Sequence, residues 1–172
     1  WKFLFGLLYT SPFIMLYLLK IISNQHAKRK VINFFFKDKD TKYIGDYAHN
    51  FVNEKIDTYL KPNVIKKLKW HQEQGHLTVL ISASLDVYVK IWAKKYKFNF
   101  IETTELKKIE NKFTGEINGN NCYGIEKVKR LNKIFSDGID NYETYGYGDG
   151  IGDKHYLEIC NFKYYKNDLL KL

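Results

Sequence analysis

Phe3 to Leu19 is an uncharged, mostly apolar run of 17 residues between Lys2 and Lys20. That length sits at the lower limit for crossing a bilayer. Pro12 follows Thr10 and Ser11, and Ser-Pro is a good helix restart, with the serine as cap and proline at the first helical position. The pattern predicts two short helices that bury themselves or lie against a bilayer, rather than a span. No small-residue cleavage site follows, which argues against a secretory leader. From Ile44 to Leu60, apolar residues at 44, 47, 48, 51, 52, 56, 59 and 60 keep helical spacing. Residues 1–60 therefore read as wholly helical.

Lys61-Pro62 marks the boundary. Pro62 to Gln74 is an amphipathic helix stopped by Gly75, with His71 and His76 expected as surface or cap residues. Leu77-Thr-Val-Leu-Ile81 then has the continuous apolar and β-branched character of a buried parallel strand, and it breaks at Ser82-Ala-Ser84. A helix over Asp86–Tyr96 and a strand over Phe98–Ile101 complete one doubly wound unit. Leu106–Glu110 and Phe113–Ile117 flank Asn111-Lys112 as a short antiparallel excursion. Helices follow over Gly124–Phe135 and Lys154–Cys160, with strands over Tyr142–Tyr147 and Phe162–Tyr165. The order predicts an α/β fold: a three-layer α/β/α, Rossmann-like parallel sheet over residues 61–172, preceded by an all-helical unit over residues 1–60.

Charge narrows the partners. A net charge of +9 favours something anionic: a phosphate ester, an acidic membrane surface or nucleic acid. The lysines are scattered, and the aromatics fall mainly in apolar runs. Both features argue against a nucleic-acid partner. Cys122 and Cys160 fit neither a metal spacing nor a disulfide framework, so a reducing, cytoplasmic location is expected, with membrane association of residues 3–19 as an addition. The chain opens on Trp1 and its only methionine is Met15, which suggests that a segment precedes it.

The candidate chemistry lies in three separated pieces. Ser82 ends a predicted strand and can offer a hydroxyl, with the amide of Ala83 beside it. Lys127 stands in the first turn of a helix, next to the positive end of the helix dipole. Asp149 and Asp153 sit in Gly148-Asp-Gly-Ile-Gly-Asp153, a loop expected to be loosened by its glycines, after a strand end. Carboxylates there suit a hard cation such as Mg²⁺. The structural alternative is a glycine-rich turn with Asp153 as helix N-cap. Asp38 and Asp40, in Asp-Lys-Asp-Thr41, look like a catalytic aspartate pair, but turn chemistry favours a polar connection opening the next helix.

In this order, Leu80-Ile-Ser-Ala-Ser84, Gly-Ile-Glu-Lys-Val-Lys-Arg-Leu131 and Gly148–Asp153, with Phe113-Thr-Gly-Glu-Ile117 between, resemble the haloacid dehalogenase superfamily. The match is to its phosphoserine-phosphatase-like branch with a helical cap. The resemblance runs from about Pro62 to Leu157, and residues 1–60 correspond to the cap. It implies a Mg²⁺-dependent phosphomonoester hydrolase in which Ser82, Ala83 and Lys127 bind the phosphoryl group and Asp149 contacts the metal. Asp153 orients either the metal's water or the lysine. It also implies an aspartyl-phosphate intermediate on an N-terminal motif that is not found in these residues and is expected before Trp1. Without that motif the chain should be inactive. An unusually apolar cap keeps two substrates open, a small phosphoester or a lipid phosphate such as phosphatidylglycerophosphate. A homodimer and a non-catalytic, phospho-ligand- or membrane-binding relative are the other expectations.

Overall fold

A computed structural model describes residues 1–166 and 168–169. Four helical elements come first: α1 (Lys2–Leu18), α2 (Asn24–Phe36), α3 (Thr41–Glu54) and a 3₁₀ turn over Ile56–Tyr59. The predicted break at Pro12 does not occur, and α1 runs straight through it. Proline removes one backbone donor from the helix, leaving the carbonyl of Leu8 without its usual partner. The Ser11 hydroxyl donates to that carbonyl at 2.9 Å. Ser11 therefore repairs the helix instead of capping a new one. Asp40 caps α3, accepting from the Tyr43 amide at 2.9 Å, so Asp38-Lys-Asp-Thr41 is the polar helix start that its turn chemistry suggested.

Helix α4 (Pro62–Glu73) leads into β1 (Val79–Leu85), α5 (Asp86–Lys95) and β2 (Phe100–Thr104). Strands β1 and β2 pair in parallel, Val79 to Phe100 and Ile81 to Glu102, with an irregularity between Ile81 and Leu85. The strand thus continues through Ser82–Ser84, where a loop was expected, but leaves the regular ladder there. β3 (Leu106–Ile109) and β4 (Lys112–Ile117) form the antiparallel excursion. Then come α6 (Ile125–Ile134), a 3₁₀ turn over Ile139–Asn141, β5 (Tyr145–Gly148), a 3₁₀ turn over Ile151–Asp153, α7 (Lys154–Glu158), β6 (Phe162–Tyr165) and β7 (Asp168–Leu169). β5 pairs with β6 in parallel, and β6 with β7 antiparallel.

The fold is α/β, but among the described residues its strands do not form one continuous sheet. β1 is paired only with β2 and β5 only with β6. Between them lies a cavity of about 470 Å³, lined by Val79, Leu80 and Ile81 on one side and Tyr145, Gly146 and Tyr147 on the other. This explains why β1 is half-buried along its whole length, where a fully buried strand was expected. The core is correspondingly divided. Ile32, Leu106, Phe113 and Ile117 join α2 to the excursion, while Leu131, Tyr156, Leu157 and Cys160 join α6 to α7.

His71 differs from expectation. It is buried, with Nδ1 2.8 Å from His76 Nδ1 and Nε2 2.9 Å from the Tyr147 hydroxyl. The aromatic residues of β5 give its ring a polar anchor, which places it in the wall of the cavity. His76 is exposed, as expected.

Candidate functional site

Helix α6 begins at Gly124, whose φ of 61° is open to glycine and costly for other residues. The Gly124 amide donates to the Gly152 carbonyl at 3.1 Å, pinning the helix start to the loop after β5. Lys127, one turn in, is only 5% exposed. Its ammonium donates to the Ile81 carbonyl at 3.1 Å and to Asp153 Oδ1 at 2.5 Å. This lysine is therefore buried because it bridges two other segments.

Asp153 completes the link. Its Oδ2 accepts from the amides of Asp149 (3.0 Å) and Gly150 (2.9 Å). Burial alone would raise this carboxyl, but the Lys127 ammonium and the two amides outweigh it and hold it below the usual range. A relay of hydrogen bonds therefore runs from Ile81, next to Ser82, through Lys127 and Asp153 to Asp149. Three segments far apart in sequence meet at one rim. The glycines act by closeness rather than looseness. A Cβ on Gly148 would come within 2.6 Å of Asp153 Cβ, and one on Gly152 within 2.4 Å of the Tyr123 ring.

Ser82 lies at the irregular end of β1. Its Oγ accepts from the Ser84 amide at 3.1 Å, which leaves the hydroxyl proton to donate elsewhere. The Ala83 carbonyl accepts from Lys28 and from Thr104 Oγ1, fixing the peptide of the predicted phosphate loop.

Asp149 has an exposed carboxylate, and its Oδ2 lies 2.7 Å from Lys61 Nζ. Among the described residues, no three His, Cys, Asp or Glu side chains converge on a metal position. The donor set fits Mg²⁺ in a limited sense: one hard carboxylate at a loop rim, and this ion usually takes only one or two ligands from protein. Asp153, the second predicted metal residue, has both oxygens engaged by protein donors, which suits it to orient Lys127.

One residue at this rim carries no signal in the sequence. Lys28, on α2, donates to Ala83 O, to Asn121 Oδ1 at 2.8 Å and to Thr104 Oγ1 at 3.2 Å, while Asn121 donates on to Asn24 Oδ1 at 2.7 Å. Burial lowers its pKa to about 8. In the basic patch His26–Lys30 it looks like its neighbours, and only the contact with β1 sets it apart. Tyr17, in the last turn of α1, adjoins Tyr123 beside Gly152, so the first two helices both reach the rim.

The chain is similar to known proteins in sequence and in fold. The protein CicA of Caulobacter vibrioides is 28% identical over 165 residues, covering 94% of this chain and 72% of that one. The crystal structure of a Bordetella pertussis Tohama I protein of unknown function superposes with a TM-score of 0.76 at 17% identity, over 86% of this chain and 68% of the other. A probable phosphoserine phosphatase from Vibrio cholerae superposes at 0.68 and 12% identity, over 91% of this chain and 46% of the other. At such identities the superpositions speak for the fold. The sequence model for haloacid dehalogenase-like hydrolase matches residues 2–158, nearly the whole described chain, and the chain belongs to that family.

Proposed function

We propose that this chain is the cap and most of the core of a Mg²⁺-dependent phosphomonoester hydrolase, with residues 1–60 as the cap and residues 61–172 as the core. The observation that carries this reading is the buried Lys127, held between the Ile81 carbonyl and Asp153 beside Ser82. A fixed ammonium and a serine hydroxyl with its proton free are what a phosphoryl group in transfer needs around its oxygens, and a rim carboxylate is what would hold its cation. In this reading Ser82 donates to one phosphoryl oxygen, the Ala83 amide to another, and Lys127 balances the charge. Asp153 keeps Lys127 in place. Asp149 would hold the Mg²⁺, which when bound supplies Lewis-acid charge for the phosphate oxygens.

The nucleophile comes, in this proposal, from an aspartate at the end of a strand preceding Trp1, through an aspartyl-phosphate. The apolar cleft between β1 and β5 supports it, because among the described residues each strand there has one edge without a partner and an extended segment would pair with both. The substrate is a small phosphoester, of the kind named for the phosphoserine phosphatase neighbours, or a lipid phosphate.

The test is hydrolysis of p-nitrophenyl phosphate by the polypeptide that includes the upstream strand. We expect turnover that stops with chelator and falls at least about 100-fold in Asp149→Asn. Turnover indifferent to both overturns the reading. A second reading is favoured by the ion pair of Lys61 with Asp149, where a lysine occupies the carboxylate that would hold the cation. A chain that binds inorganic phosphate equally with and without Mg²⁺, and never hydrolyses the ester, would be a phospho-ligand-binding relative.

A further inference from the structure

Helix α1 is packed the wrong way round for a helix in water. A surface helix normally turns its apolar stripe inward and its polar face out. Here the buried positions are Gly6 and Thr10. A Cβ on Gly6 would collide with the Phe34 and Phe35 rings of α2, and the Thr10 hydroxyl is spent on the Gly6 carbonyl at 2.7 Å. Most of the large apolar side chains face away. Leu4, Leu8, Met15 and Leu18, spaced as one stripe, are 62%, 72%, 62% and 71% exposed. Small residues against the neighbouring helix and large apolar ones outward is the arrangement of a helix whose outer surroundings are apolar.

We propose that this face of α1 docks on an anionic lipid bilayer. Among the described residues, no helix is long and apolar enough to cross a membrane. With one face packed on α2 at Gly6 and Thr10 and the other exposed, the helix lies in the interfacial plane. Charge selects the lipid. Residues 1–37 contain six Lys or Arg and no Asp or Glu. Lys20, Arg29 and Lys37 are exposed, and each cation near an acidic leaflet strengthens binding about fivefold. The same charge disfavours a second copy as the occupant. A two-fold contact through this face would set like-charged segments together with no acid among them to pair. Because Tyr17 adjoins Tyr123 at the rim, docking brings the site to the bilayer surface. A phosphate on a lipid headgroup could then reach it, and that last step alone rests on the hydrolase reading.

The test is flotation of the 172-residue chain with vesicles of phosphatidylcholine alone and of phosphatidylcholine mixed equally with phosphatidylglycerol. We expect binding to the mixed vesicles at least about tenfold tighter than to the neutral ones, weakening as salt is added. Leu8→Asp combined with Met15→Asp should abolish it. Both positions face out, so the far-ultraviolet circular dichroism and thermal midpoint should stay unchanged, which separates lost docking from lost folding. Arg29→Glu with Lys37→Glu should remove the preference for the acidic lipid. A monomer that floats with neither vesicle overturns the proposal. So does a vesicle-independent dimer that the aspartate pair dissociates, which would assign the face to a second copy. Flotation does not read hydrolysis, so it can fail or succeed whatever the fate of the catalytic reading.

Discussion

Two lysines show how differently the same side chain is used once it is buried. Lys127 has an anionic partner, and its Asp153 contact is short and largely shielded from water. Removing one partner of such a pair leaves an uncompensated charge inside, so Asp153→Asn should lower the unfolding free energy by about 3–5 kcal/mol in chemical denaturation. The carboxyl of Asp153 is depressed in the folded chain. Its contribution is therefore present above the ordinary carboxylate range and lost as pH falls through the folded value. The gap between wild type and Asp153→Asn should close below about pH 4.

Among the described residues Lys28 has neutral hydrogen-bond partners only, and burial lowers it to about 8 from 10.5. Between those values the unfolded chain binds more protons, so stability should rise with pH across that window. Denaturation midpoints of wild type relative to Lys28→Met, followed from pH 8 to 10, should show that rise. Lys127 was legible in the sequence through the spacing of its motif. Lys28 was not, because three basic residues in a row differ only in what packs over them.

At the level of elements, local rules located nearly every helix and strand, and they failed where a side chain compensates. Pro12 should have ended α1, yet the Ser11 hydroxyl takes up the Leu8 carbonyl. The loop after β5 shows the opposite relation. Gly148 is needed because Asp153 folds back to within van der Waals reach of it. Gly148→Ala should displace Asp153, destabilise the chain by about 1–3 kcal/mol and weaken inorganic phosphate binding measured by calorimetry. A wild-type stability and phosphate affinity in that variant would mean the relay does not depend on this approach.

Across the whole molecule, the dominant feature is the cleft that separates β1–β2 from β5–β6. Its walls carry apolar side chains and two strand edges. Edges of this kind invite another extended segment. The 172-residue chain should bind the dye ANS, and the cleft-facing amides of Val79, Ile81, Tyr145 and Tyr147 should exchange quickly. Adding the proposed upstream strand should abolish the dye signal and protect those amides. Dye binding unchanged by that strand would remove the support the cleft lends to the proposed nucleophile.

The sequence by itself determined the α/β order, the helix beginning at Pro62 and the polar helix start around Asp40, and it put Ser82, Lys127 and Asp149 at the ends of their elements. Each of these follows from periodicity, turn chemistry or motif spacing within a few residues. The tertiary structure alone decided that Lys28 is buried, that His71 lines a cavity, that α1 turns its large side chains outward and that β1 and β5 stand apart. Burial and pairing depend on what lies across the fold, and no short window of sequence carries that information.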